Sequence, residues 1–285
     1  MDLHEKEIIK EIINYYDYCD IDYKFLWRDR ESLGMHFGFW DNFTKSHKES
    51  LLNQNEKLAE LACVNKNDII LDAGCGVGGT SIWLAKKFNV IVYAINLNRK
   101  QIKLAKKYAI ENKVSHLTNF LAGDYNATSF PSEMFTVILA QESVPHANNK
   151  RKFLSEAYRL LKKGGRLVTA DYFLSKNKLN EIESKILSKW MSGWAMSNFM
   201  LTKEFIKIAY KVGFKKIKYY ETSRLIEPSL RRLVRLFYFT YPIGIFLESL
   251  KIRNEYHSGN MRSAYYGYKA FKMGLWKHGL IYAEK

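Results

Sequence analysis

The chain has 285 residues, 47% of them hydrophobic, and no Ser- or Gly-rich linker, which suits one large α/β domain with an elaborated cap and forces no two-domain split. A formal charge of +16 raises nucleic acid as a partner, but residues 201–285 hold 17 Lys/Arg against 6 Asp/Glu, so +11 of the +16 lies in the last third. That excess marks either one surface that meets anions or a Lys-rich composition spread over many helix faces.

Met1 to Lys10 alternates charged and apolar residues without the uninterrupted apolar core of a secretion signal, which predicts a cytoplasmic protein. The leading segment, residues 1–62, is dense in aromatics: Tyr15-Tyr16-Asp17-Tyr18, Tyr23, Trp27, and then Gly34 through Trp40 and Asp41. Cys19, Cys63 and Cys75 are odd in number and lack any C-x-x-C or Cys/His spacing. They fit a reducing compartment, argue against structural zinc, and leave no metal site to expect.

Ile69–Ala73 and Val90–Ile95 are continuous apolar runs bounded by turn signals, which predicts buried parallel strands. Leu117–Ala122, Phe135–Ala140 and Arg166–Tyr172 extend the set. Between them the spacing predicts helices over Thr80–Lys87, Arg99–Glu111 and Lys150–Leu161, the last stopped by Lys162-Lys163-Gly164-Gly165. Strands alternating with helices imply an α/β, doubly wound sheet whose ligands sit at the carboxyl ends of the strands. Residues 63–175 form this core. Thr202–Val212 reads as a helix closed at Gly213, followed by strands near Lys215–Thr222 and Leu280–Glu284. The stretch 176–200 and the insert 224–274 are left over as cap.

Ile69 to Thr80 runs as strand, glycine-rich turn and helix. Gly74 and Gly76 let the backbone turn sharply and approach a ligand closely. Glycine spacing of this kind also occurs in dinucleotide sites. Asp72 tilts the balance: a carboxylate at the strand end meets the ammonium of an amino-acid cofactor, whereas it would repel a pyrophosphate.

This segment resembles the first motif of class I S-adenosylmethionine-dependent methyltransferases, and residues 60–175 follow that family's order of motifs. The resemblance implies a Rossmann-like, seven-stranded sheet with the last strand antiparallel, a helical cap from the amino terminus and from an insert before the last strand, and S-adenosylmethionine as cofactor, released as S-adenosylhomocysteine. Most of the family holds the ribose with an acidic residue after the second strand. Here Asn96 takes that place and Gln101 follows five residues later, a departure similar to the tocopherol, sterol and cyclopropane-lipid branch. Asp124 and Tyr125, after the third strand, would accept the adenine amino group and cover its ring.

The fourth strand runs into Gln141-Glu142-Ser143-Val144-Pro145-His146. This resembles the Glu-Ser/Ala-x-x-His segment of the same branch, and it implies that Gln141 borders the cofactor while Glu142 and His146 face the methyl group. Glu142 would offset the sulfonium charge, take a proton or anchor the loop. His146 would be a general base or a structural hydrogen-bonder. Nucleic-acid amino methyltransferases carry an Asn/Asp-Pro-Pro-aromatic tetrad here, so its absence weighs against nucleic acid.

The leading aromatics are similar to the opening segment of methyltransferases acting on sterols, tocopherols and methylated amines, which implies that Tyr16, Tyr23, His36 and Trp40 contact the acceptor. In the insert, Leu230, Leu233, Val234 and Phe237 recur at helical spacing while Arg231, Arg232 and Arg235 fall elsewhere. The uncharged run Leu236–Leu247 is too short to span a bilayer, and Pro242 and Gly244 are expected to break the helix. Such a segment is either a basic amphipathic surface that rests on an anionic membrane or an apolar lid. The reading is a cytoplasmic or membrane-peripheral methyltransferase for C, N or O of a small, lipid-like acceptor. Its rivals are a cyclopropane-forming lipid enzyme, a nucleic-acid methyltransferase and a non-catalytic cofactor-binding module. The first should carry a bicarbonate-binding Cys near Glu142, yet no Cys follows Cys75.

Overall fold

In the computed structural model, which describes residues 3–29 and 31–285, seven strands form one sheet in the order β3-β2-β1-β4-β5-β7-β6. The strands are β1 Ile69–Ala73, β2 Ile91–Asn96, β3 Thr118–Ala122, β4 Phe135–Gln141, β5 Leu161–Leu174, β6 Lys215–Glu221 and β7 Trp276–Glu284. β1 to β5 pair in parallel, and β7 runs antiparallel between β5 and β6. The continuous apolar runs have this cause: β1 and β4 are central in the sheet, and residues on both their faces are buried.

α3 (Gly79–Phe88), α4 (Arg99–Glu111), α5 (Lys150–Leu160) and α7 (Thr202–Val212) connect the strands within two or fewer residues of the expected limits. Asn98 starts α4 by accepting the Lys100 and Gln101 N–H groups at 2.8 and 3.0 Å. The remaining helices are α1 (Leu3–Asp22), α2 (His47–Leu61), α6 (Glu181–Gly193), α8 (Ser223–Ser249) and α9 (Glu255–Lys272). α9 packs on α6, α8 and α1, so the amino-terminal segment and the insert meet above the carboxyl ends of the strands.

Three expectations change. β5 begins at Leu161, paired with Phe135, before residues 162–165 loop out and pairing resumes at Arg166. β7 begins at Trp276, four residues earlier than expected, because its whole length pairs with β5. Pro242 and Gly244 do not break the insert helix, which runs unbroken through both. A Cβ on Gly244 would lie 2.8 Å from Met261 Sδ, so the glycine lets α8 lie close on α9. That packing outweighs the hydrogen bond lost at Pro242.

Candidate active site

Two cavities meet at the carboxyl ends of the central strands, and sequence-distant residues build the wall between them. The first lies under the glycine-rich turn and is lined by Asp72, Gly74, Gly76, Asn96, Gln101, Tyr125 and Gln141. Gly74 has φ +93° and Gly76 φ +51°. A Cβ on Gly74 would sit 2.3 Å from that of Ser143, so only glycine lets this turn close against the segment after β4.

Asp72 is 2% exposed and accepts the Ser81 hydroxyl at 2.6 Å. Burial pushes its carboxyl up to about 6, against the pull of Ser81. A cation in the cavity would reverse that shift, which is what an ammonium-bearing cofactor provides. Asn96 donates to Gln101 Oε1 at 2.6 Å, and Gln101 Nε2 finds only the weakly accepting Met35 sulfur at 3.7 Å. This amide pair therefore keeps hydrogen-bonding capacity toward the cavity where the ribose is expected. The donor set and the glycine cradle fit S-adenosylmethionine.

Tyr125 is buried, with its hydroxyl donating to Ser143 O at 2.8 Å. Asp124 borders a smaller adjoining cavity, where Asn126 donates to it from both backbone and side chain. This smaller cavity shares Ile12, Leu97, Tyr125 and His146 with the one under the glycine turn. Gln141 is braced from α2: it donates to Gln54 and Asn55 and accepts the Thr80 hydroxyl. Gln54 and Asn55 were not anticipated. Their signal was two polar residues within the buried face of a helix otherwise marked by Leu51 and Leu58.

The second cavity lies under α8 and is lined largely by aromatic and aliphatic side chains, among them Tyr23, Trp27, Phe37, Tyr172, Leu233 and Phe237. Tyr16, Met35, His36, Glu142 and His146 border both cavities. Tyr23 is fixed through Tyr15, whose hydroxyl lies 2.9 Å from that of Tyr23 and donates to Asn260 at 2.9 Å. Trp40 lines neither cavity. Its indole N–H donates to Ser229 at 2.9 Å and its backbone N–H to Leu225 O at 2.9 Å, so it ties the amino-terminal segment to α8.

Glu142 has φ +50°, a strained conformation for a residue with a side chain. Its carboxylate accepts the Phe37 N–H at 3.0 Å, Gln54 Nε2 at 3.1 Å and the Tyr172 hydroxyl, and lies 3.3 Å from His278 Nε2. Burial alone would push this carboxyl up; His278, then His36 and Tyr172, hold it below the ordinary glutamate range. His146 donates from Nδ1 to the Ala195 carbonyl at 3.0 Å, so Nε2 accepts the Tyr16 hydroxyl at 3.0 Å. Burial pushes the His146 ring down to about 4, against the Ala195 carbonyl and with help from Lys150.

Beneath this wall, Lys150 Nζ donates to the Val144 and Ala147 carbonyls, both at 2.7 Å, and Asp171 accepts the Val144 N–H at 3.1 Å. Burial pushes Lys150 down to about 8 and Asp171 well up. These two groups set the turn Val144–His146, and neither carried a signal in the sequence beyond its residue type.

Residues 71–169 match the family described as a methyltransferase domain. A probable chloroplastic tocopherol O-methyltransferase of Oryza sativa is 26% identical over 68% of this chain and 58% of its own. A sterol 24-C-methyltransferase of Neurospora crassa is 27% identical over 65% and 49%. The chain thus spans about half to three-fifths of the length of these relatives. Ajmaline N-methyltransferase of Rauvolfia serpentina is 25% identical over 74% and 77%. Among solved structures, a cyclopropane synthase of Mycobacterium tuberculosis superposes with TM-score 0.82 at 15% identity, covering 97% and 98% of the two chains. A geranyl diphosphate C-methyltransferase of Streptomyces coelicolor superposes at 0.73 and 17%, covering 97% of each. The glycine turn, the strand order and the match over residues 71–169 agree: the chain has the class I methyltransferase fold and carries a methyltransferase domain.

Proposed function

We propose that this protein transfers a methyl group from S-adenosylmethionine to a small acceptor with a hydrophobic body. One observation carries the reading: a cavity under the glycine turn, with Asp72, Asn96, Gln101 and Gln141 in its lining, and a more apolar cavity under α8 share the wall of Tyr16, Met35, His36, Glu142 and His146. The bound cofactor supplies an already activated methyl group, so the chain's task is to align and to exclude water. Asp72 holds the amino-acid end, the turn at Gly74 and Gly76 receives the backbone of the ligand, and Asn96 and Gln101 hold the ribose hydroxyls. Asp124 and Tyr125 border the adenine, and Gln141 stiffens the floor. Glu142 accepts from three donors and lies 3.3 Å from His278 Nε2, so it acts as a fixed negative charge rather than as a base. Tyr23, His36 and Tyr16 face the acceptor.

No helix among the described residues is long and apolar enough to cross a membrane. α8 nevertheless presents Phe239, Ile243 and Phe246 as exposed residues at helical spacing, continued by Leu250 at its C-cap, with Arg235 one turn before them. The same helix lines the acceptor cavity through Leu233, Leu236 and Phe237. Apolar stripes on both sides of one helix favour an anionic membrane surface as the place where a lipid-like acceptor enters.

The test is turnover with methyl-labelled S-adenosylmethionine against lipid extracts and a panel of phenols, sterols and amines. Label in an organic-soluble product supports the reading. Transfer to RNA or DNA, or cofactor binding with no transfer to any fraction, refutes it.

A further inference from the structure

Three side chains able to take a proton border both cavities, and two are already engaged. Glu142 faces Phe37 N–H, Gln54, Tyr172 and His278, while His146 Nε2 accepts the Tyr16 hydroxyl. His36 differs. Its Nδ1 lies 2.8 Å from the Phe37 carbonyl, and a carbonyl only accepts, so Nδ1 carries the proton and Nε2 the lone pair. Nε2 is buried with no hydrogen-bond partner among the described residues, on a side chain 8% exposed that lines both cavities. Polar atoms left unpaired at such depth are rare, and they call for an explanation.

The arrangement around the ring keeps this lone pair in place. A Cβ on Gly34 would lie 3.1 Å from Nε2, so glycine leaves that side of the nitrogen uncrowded. Burial lowers the ring's affinity for protons, against the Glu142 carboxylate and the Phe37 carbonyl and together with His278. His47 on α2 is the other imidazole that senses it. At neutral pH the ring is therefore uncharged, and its unpaired acceptor atom belongs to a residue that lines both cavities.

We propose that His36 Nε2 is the group that takes the acceptor's proton, and that the acceptor is accordingly a hydroxyl or an amine carried on an apolar body. The inference rests on the methyltransferase reading. In the step, the acceptor's O–H or N–H bond breaks with the proton passing to Nε2. The electron pair left on oxygen or nitrogen forms the new bond to the methyl carbon, and the carbon–sulfur pair returns to sulfur. The imidazolium so formed lies beside the Glu142 carboxylate, which stabilises it until the proton leaves to solvent.

The experiment uses the full chain saturated with S-adenosylhomocysteine and two probes, 4-octylphenol and its methyl ether 4-octylanisole. In ¹⁵N-histidine NMR of the wild type at neutral pH, His36 Nε2 gives the signal of an unprotonated nitrogen, and 4-octylphenol but not the ether shifts it. In calorimetry, His36→Phe and His36→Gln bind 4-octylphenol roughly 3- to 10-fold more weakly than the wild type, the scale of one lost hydrogen bond. Their losses for the ether and for S-adenosylhomocysteine are smaller than for the phenol. A protonated Nε2, or equal losses for phenol and ether, overturns the proposal. Loss of S-adenosylhomocysteine binding by the wild type itself would instead overturn the reading on which it rests.

Discussion

His278, fully buried on β7, and Glu142, at the end of β4, meet 3.3 Å apart, and the Thr222 hydroxyl sits 2.6 Å from the other ring nitrogen of His278. This contact joins residues 136 positions apart in the chain, and it fixes the carboxylate that divides the two cavities. Replacing Glu142 by Ala leaves Gln54, Tyr172 and His278 facing an emptied site. We predict a loss of about 3–5 kcal/mol in urea unfolding for Glu142→Ala, and a clearly smaller loss for Glu142→Gln, which keeps an acceptor. Equal and small losses would mean that the cluster is not a structural unit.

Tyr16 and His146 form a second unit at the same wall. In a double-mutant cycle of Tyr16→Phe and His146→Ala, followed by thermal unfolding, the coupling energy should be about 0.5–1.5 kcal/mol. Additive effects would show that the 3.0 Å contact carries no net energy.

Asp72 governs the pH dependence of cofactor binding. Its carboxyl is pushed up to about 6 by burial, and only the ionised form attracts an ammonium. Affinity for S-adenosylhomocysteine should therefore be level above pH 6 and fall roughly tenfold for each unit below it. Asp72→Asn should bind weakly with no such slope. A wild-type profile flat down to pH 4.5 would remove Asp72 from the ammonium site.

Vesicle flotation tests the outer face of α8. Full-length protein should float with phosphatidylglycerol vesicles more than with phosphatidylcholine vesicles, and a triple change of Phe239, Ile243 and Phe246 to Ser should abolish this with unfolding temperature unchanged. Flotation that ignores both lipid charge and the substitutions would dismiss the membrane contact.

The core was readable because its signals are local. β1, α3, β2 and α4 each carry a continuous apolar run or a helical stripe, and Asp72, Gly74 and Gly76 sit within one turn of each other in sequence. Asn96 and Gln101 were paired by a five-residue spacing, and the structure places them in mutual hydrogen-bonding contact. His278, Gln54 and Lys150 were not readable as site residues, because their meaning comes from which strands and helices lie beside them. Trp40 is a related case. An aromatic in a cap segment looks the same whether it lines a cavity or clamps two helices, and here Ser229 decided between them. Pro242 misled because propensity is local, whereas the contact of Gly244 with Met261 is not.

The most direct test of the central claim is the electron density of a complex with S-adenosylhomocysteine. The account predicts the ligand under the turn at Gly74, its amino-acid end at Asp72, its ribose at Asn96 and Gln101, and its sulfur at the wall of His36, Glu142 and His146. Density elsewhere, or a ligand whose sulfur points away from the cavity under α8, would contradict it.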